Sequence, residues 1–309
     1  MSGESFKFNR SYVMKVEVPP VESVDSYVTL NYPFTLEFSI SRNNLSATNT
    51  AHFVVYNLNP STRSKIYKDV WDISNFKAIQ LFAGYAYGQN DLLPMVFNGT
   101  IKAAYSQRSG SDFRTVIEAF DGLNSFATQQ ISQTVPSGTT QKQAIEKLVS
   151  GVDGVKTLTL SERFTQITQR SASFMGTPQD VLGQASGGSF YMDSGNAYAL
   201  DLTDVLEGEI RTISVDNGLL GTPRKAETLV EIEMLFEPRI KPSQLIELQS
   251  RTEPRFNGLH KVTGIVHRGT ISGSVGGDCR TTITLTKMSD YHIVIDKATQ
   301  EYMAVKNAQ

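Results

Sequence analysis

The chain has 309 residues, 29 Lys plus Arg against 31 Asp plus Glu, a net charge of −2 and only 19% charged residues. That length supports more than one cored domain, and the balanced charge, with no Lys/Arg run among aromatics, speaks against nucleic-acid recognition. A lone cysteine, Cys279, excludes an internal disulfide and a cysteine-rich zinc site; no apolar run approaches membrane-spanning length, and residues 1–9 lack the apolar core of a secretory leader, so a soluble, unexported chain is expected.

Residues 12–18 place Tyr12, Met14, Val16 and Val18 on one face, predicting a strand that Pro19-Pro20 ends by removing backbone donors. Residues 34–40 set Phe34, Leu36, Phe38 and Ile40 against Thr35, Glu37 and Ser39, the cleanest alternation in the chain. The polar run 42–49 reads as a loop tip. A strand over 53–56 leads to Asn59-Pro60, an N-cap followed by proline at the first helical position. This predicts a short helix ending near Asp69, with Ile66, Tyr67 and Val70 turned inward. Strands follow over 79–83, from Thr100 after the turn-like Phe97-Asn98-Gly99, and over 114–120.

The rhythm changes over residues 121–200. Residues 121–127 read as one helical turn and 128–135 as an edge strand before the Pro136-Ser137-Gly138 turn. Thr140 with Gln143 forms a capping box for a helix carrying Ala144, Ile145, Leu148 and Val149 and ending at Gly151. A second helix starts at Thr177-Pro178 and stops at Gly187-Gly188, and a hairpin turns around Asp193-Ser194-Gly195-Asn196. The stretch from Gly218 to Pro223 reads as a connector. Residues 229–236 then alternate, with Val230, Ile232, Met234 and Phe236 on the apolar face. Strands over 245–248, 260–267 and 280–286 follow. A short strand over 292–295 and a polar helical tail over 298–305 end the chain.

The two β segments echo each other. Each carries Phe-Asn-Gly before its third strand, at Phe97-Asn98-Gly99 and Phe256-Asn257-Gly258, a Gly/Ser-rich tip after it, and Arg-Thr opening the fourth, at Arg114-Thr115 and Arg280-Thr281. The expected fold is mainly β (α+β): two similar antiparallel β-barrels, 1–127 and 206–290, an α/β domain inserted over 128–205, and a C-terminal tail over 291–309.

No motif carries chemistry. There is no phosphate loop, dinucleotide fingerprint or Gly-x-Ser-x-Gly elbow. His52, His260, His267 and His292 lack zincin spacing; His260 and His267, seven apart on one strand, are expected on opposite faces, each partly buried. Glu231 and Glu233 share a strand face, which is read as a solvated or interface stripe rather than a glycosidase pair. Trp71 reads as a packing anchor and Cys279 as a buried strand thiol. Catalytic, cofactor-binding and metal residues: none are assigned.

The run Val55-Tyr56-Asn57-Leu58 with Thr62-Arg63 and Ile66, then Ala83-Gly84-Tyr85 and Phe97-Asn98-Gly99-Thr100-Ile101, resembles the first half of the baseplate hub proteins of contractile-tailed bacteriophages. The stretch from Gly218 to Pro223, then Phe236-Glu237-Pro238 to Pro242, Asn257 to Val262 and His267-Arg268-Gly269, is similar to their second half. Together these span most of residues 12–286. Ser243 stands where similar proteins often place Gly, and Thr270 where Asp is common. The resemblance implies tube-protein-like barrels and a homotrimeric, pseudo-sixfold ring in the virion baseplate, made in the host cytoplasm, that joins the sixfold tail tube protein to a threefold central spike protein and contacts other baseplate proteins. With few residues following Lys287, the spike is expected to be a separate chain. A tail-tip cell-wall hydrolase and a carbohydrate-binding β-module for host recognition are the alternatives.

Overall fold

The computed structural model describes residues 9–18, 27–45, 48–72, 75–86, 93–122 and 129–300. The first part holds β1 (Arg10–Glu17), β2 (Tyr27–Asn31), β3 (Leu36–Asn43), β4 (Thr50–Tyr56), α1 (Pro60–Ile66), β5 (Ala78–Tyr85), β6 (Met95–Ser109) and β7 (Asp112–Phe120). These strands pair antiparallel in the order β3-β4-β7-β6-β5-β1-β2. Alternation selects the inner face: Tyr12, Met14 and Val16 of β1 and Leu36, Phe38 and Ile40 of β3 meet Phe53, Leu81, Phe97 and Ile117 in one core. The sheet therefore curls around that core.

The middle part holds β8 (Ile131–Val135), α2 (Gln141–Val149), β9 (Leu158–Leu160), β10 (Ala172–Gly176), α3 (Pro178–Ala185), β11 (Phe190–Asp193) and β12 (Asn196–Ala199). β8 pairs with β10, and β12 lies between β11 and a parallel β9. The Thr140–Gln143 capping box forms as expected, and Thr177 caps α3 by accepting from the Asp180 amide. Ile145 and Leu148 of α2 and Val181 and Leu182 of α3 pack with Phe190 in a separate core.

The last part holds β13 (Asp204–Ser214), β14 (Leu219–Ala226), β15 (Leu229–Leu235), β16 (Gln244–Gln249), β17 (Gly258–Ile271), β18 (Cys279–Lys287) and β19 (His292–Val294). Their order is β14-β15-β18-β17-β16-β13, with β13 running parallel to both β16 and β19. The far end of β17 pairs with β3, from Gly264↔Asn43 to Ile271↔Leu36, so both β parts belong to one 14-stranded sheet.

The echo in the sequence has a counterpart in topology. β5-β6-β7-β4 and β16-β17-β18-β15 are the same antiparallel arrangement in the same chain order, flanked by β3 on β4 and β14 on β15. The third strand bulges at the same place in both: after Ile101, paired with Ala119, and after Val262, paired with Leu285.

Several expectations are corrected. Among the described residues no ladder closes either part into a barrel; the sheet is open at β2 and β14. Phe97-Asn98-Gly99 lies inside β6, whereas Phe256 ends a 3-10 turn before β17, so that triplet is not equivalent in the two parts. The 218–223 connector is mostly the edge strand β14, where Pro223 is tolerated in an irregular stretch of the ladder. Phe34 precedes β3 and is exposed. α1 ends at Ile66, which is buried, while Tyr67 and Val70 face solvent. Pro19-Pro20, most of the helical turn over 121–127 and the tail beyond residue 300 lie outside the described residues.

Candidate functional site: a buried polar junction and an exposed sheet edge

The polar run expected as a loop tip is instead the point where the three parts meet. Arg42, in β3, is 4% exposed, and its guanidinium grips Asp193 through Nε–Oδ1 at 2.8 Å and Nη2–Oδ2 at 2.5 Å. Its Nη1 donates to the Ile240 carbonyl at 3.4 Å in the last part. Asn49, also buried, donates from Nδ2 to the Met192 carbonyl at 2.8 Å and accepts from the Asn43 amide at 3.0 Å. Asn44 Nδ2 donates to Ser243 Oγ at 3.0 Å.

The β11–β12 turn needs left-handed backbone at both central residues, and Ser194 (φ 56°) and Gly195 (φ 82°) supply it. That turn aims the Ser194 and Gly195 amides at the Asp121 carboxylate, the latter at 3.0 Å, while Asn98 Nδ2 donates to the Ser194 carbonyl at 3.2 Å. Burial, reinforced by the Asp193 charge, pushes the Asp121 carboxyl up to about 7. One buried cation thus faces two carboxylates, and the geometry fixes orientation between segments.

A second junction ties the chain's end to the middle part. Asp296 accepts from Lys241 Nζ at 3.1 Å and from the Tyr198 hydroxyl at 3.2 Å, and the Tyr198 ring stacks on Tyr191 at 4.9 Å. Lys261 Nζ donates to the Asp201 and Leu202 carbonyls, and burial pulls this ammonium down to about 8.

Beyond α1 the chain forms a held loop. Lys77 Nζ donates to the Lys65 and Tyr67 carbonyls, each at 2.7 Å, satisfying the helix end. Lys68 exchanges both backbone hydrogen bonds with Ala104 of β6 at 2.9 Å, and its Nζ reaches the Asp72 carbonyl at 2.5 Å. The loop presents Tyr67 and Trp71, the latter 86% exposed. Trp71 is therefore not a packing anchor.

The other singled-out residues fall as follows. His260 and His267 are both fully buried and share a face, because the bulge in β17 shifts the alternation between them: His260 pairs with Lys287 and His267 with Thr281. Burial pulls the His267 imidazole down to about 3, and its Nδ1 lies 2.9 Å from Thr281 Oγ1. His52 is exposed, and His292 Nδ1 lies 3.4 Å from Asp204 Oδ1. Glu231 binds Arg224, and Glu233 binds Arg268 and Arg280, as a charged stripe across β14, β15, β18 and β17. Cys279 is buried, and burial raises its thiol to about 11. Among the described residues no three His, Cys, Asp or Glu side chains group as metal ligands. Arg42, Asn49 and Asp121 were missed by sequence reasoning; no local signal marks a polar residue whose partners lie far along the chain.

The fold is one shared with solved tail proteins. The structure is similar to the 43 kDa tail protein of prophage MuSo2 from Shewanella oneidensis (TM-score 0.61, 9% identity, 90% of this chain and 97% of that one). It is similar to the tail protein of Neisseria meningitidis MC58 (0.57, 10%, 92% and 98%). A third similar structure is the E. coli c3393 protein, a type VI secretion component described as similar to the T4 tail proteins gp27 and gp5 (0.56, 12%, 90% and 78%). None of the curated protein sequences matches. The chain belongs to the baseplate hub gp41 family, whose profile matches residues 13–267. It is a structural component of the phage tail baseplate.

Proposed function

We propose that three copies of the chain close into a ring, with the two β parts alternating around a central channel, and that this ring joins the sixfold tail tube protein to a threefold central spike protein, with other baseplate proteins around it. The observation that carries this is the repeated order β5-β6-β7-β4 and β16-β17-β18-β15, with β3 on β4 in the first set and β14 on β15 in the second. Three chains that each present two similar faces meet a sixfold partner without a symmetry mismatch. The domain organisation fits this role: residues 1–127 and 206–290 act as the tube-like units, 128–205 as an outer insertion tied in at the Arg42–Asp193 junction, and 291–309 as a tail. The role is structural and needs no cofactor. Coexpression with the tube and spike proteins tests it: native mass measurement is expected to give three hub chains per complex, and a stable hexamer or a monomer in the complex would overturn it.

A further inference from the structure

Inside one chain the two β parts are joined by the ladder between β3 and β17. β17 has β18 on one side; on the other it meets first β16, over Gly258 to Lys261, and then β3, over Gly264 to Ile271. β6 has β7 on one side; on the other it meets β5 as far as Thr100 and Lys68 at Ala104. Beyond Ala104 that side of β6 has no strand partner among the described residues, and residues 105–109 are all exposed. The edge where β3 docks on β17 is therefore open on β6.

The other half of the contact is open too. β3 lies between β4 and β17, whereas its counterpart β14 pairs, among the described residues, with β15 alone. We infer that the free edge of β14 pairs antiparallel with the free edge of β6 in the next copy of this chain, repeating the β3–β17 ladder. This rests on the ring proposed above and names its contact.

The registers specify which residues meet. Gln107 pairs with Arg114 as Arg268 pairs with Arg280, which makes Ser106 the counterpart of His267. Ile40 pairs with Ala51 and Lys225 with Val230; Tyr56–Arg114 and Leu235–Arg280 align β4 with β15, so Lys225 is the counterpart of Ile40. Within the chain Ile40 pairs with His267. Between chains Lys225 pairs with Ser106.

The backbone polarity agrees. In a hairpin closed by a two-residue turn the closing pair is hydrogen-bonded within the hairpin, and alternate residues beyond it point outward. Ala226↔Leu229 and Ser109↔Asp112 are such closing pairs, so Lys225 on β14 and Ser106 and Arg108 on β6 aim their N–H and C=O groups away from their own hairpins. Ala104, which bonds Lys68 on that side, has the same parity. Where Ile40 and His267 are buried, Lys225 and Ser106 are polar, and a lysine on an open edge restrains unwanted pairing of the free chain. The Tyr67–Trp71 loop lies next along this β6 edge, so the arriving β14–β15 turn covers it.

The test places cysteines at Ser106→Cys and Lys225→Cys in the full chain coexpressed with tube and spike proteins, followed by mild oxidation and denaturing electrophoresis. Cα atoms of a hydrogen-bonded antiparallel pair stand about 5.5 Å apart, within disulfide reach. Covalent dimers and closed trimers are expected from this pair, and none from the off-register pair Ser106→Cys with Leu220→Cys. A second variant, Lys225→Pro, removes an outward N–H and is expected to keep the monomer's melting temperature while lowering ring yield at least tenfold. Rings that assemble without cross-links, or that tolerate the proline, would overturn the pairing and leave the ring intact. Absence of rings from the unmodified chain would instead overturn the proposed function.

Discussion

Arg42 and Asp193, 151 positions apart, form a two-pronged ion pair that is almost fully buried and ties β3 to the β11–β12 turn. A buried pair adds little over well-packed apolar residues, but removing one partner strands the other charge in the interior, at a cost of about 3–5 kcal/mol. Asp193→Asn is expected to destabilise by that order in urea unfolding, and the Arg42→Met, Asp193→Leu double variant by less. A double variant as unstable as the sum of the two singles would show that the residues do not act as a pair.

Asp121 gives the junction a pH dependence. Its carboxyl rises from 3.8 to about 7 on folding, so across that window the folded chain holds a proton that the unfolded chain has released. The stabilisation this group supplies is complete below about pH 4 and is lost as pH rises through 7. Arg42, Asp193 and the Ser194 and Gly195 amides surround it. Relative to Asp121→Asn, the wild-type melting temperature is expected to fall between pH 5 and pH 8; a constant difference would show that Asp121 stays ionised throughout.

Gly99 and Gly110 separate two uses of glycine. A Cβ at Gly99 would lie 2.5 Å from the Phe120 carbonyl oxygen and 2.8 Å from the Phe97 ring, whereas at Gly110 it would meet nothing within 4 Å and only the positive φ of 63° resists substitution. Gly99→Ala is expected to cost about 1–3 kcal/mol by overpacking, and Gly110→Ala about 1 kcal/mol by backbone strain. Equal losses in denaturant titration would contradict this distinction.

What was legible in the sequence follows from what is local. The alternation of Tyr12, Met14 and Val16, or of Val230, Ile232 and Met234, records which face is inside, and the Asn59-Pro60 and Thr140–Gln143 caps record where helices start. Arg42 and Asn49 were illegible because a polar side chain looks the same whether water or a remote partner satisfies it. The bulge after Val262 is marked only by Gly264 within the strand, yet it brings His260 and His267 to one face. β14 was hidden by Gly221 and Pro223, residues that an edge strand accepts and a central strand does not.

Trp71 is the only tryptophan in the chain and reports on assembly directly. At 86% exposure its emission in the free chain is expected at the solvent-exposed maximum, and Trp71→Ala to change stability by less than about 0.5 kcal/mol. On ring formation the emission is expected to shift to the blue as the neighbouring copy covers the loop. A blue-shifted free chain, or no shift on assembly, would contradict the placement of this loop at the contact.

The most direct measurement is an image of the assembled tail at a resolution that traces the strands of this chain. Rotating the ring by about 60° about the tail axis is expected to lay β5-β6-β7-β4 of one part onto β16-β17-β18-β15 of the other. If the two sets fail to overlay after that rotation, the chain does not mediate between sixfold and threefold symmetry by internal repetition.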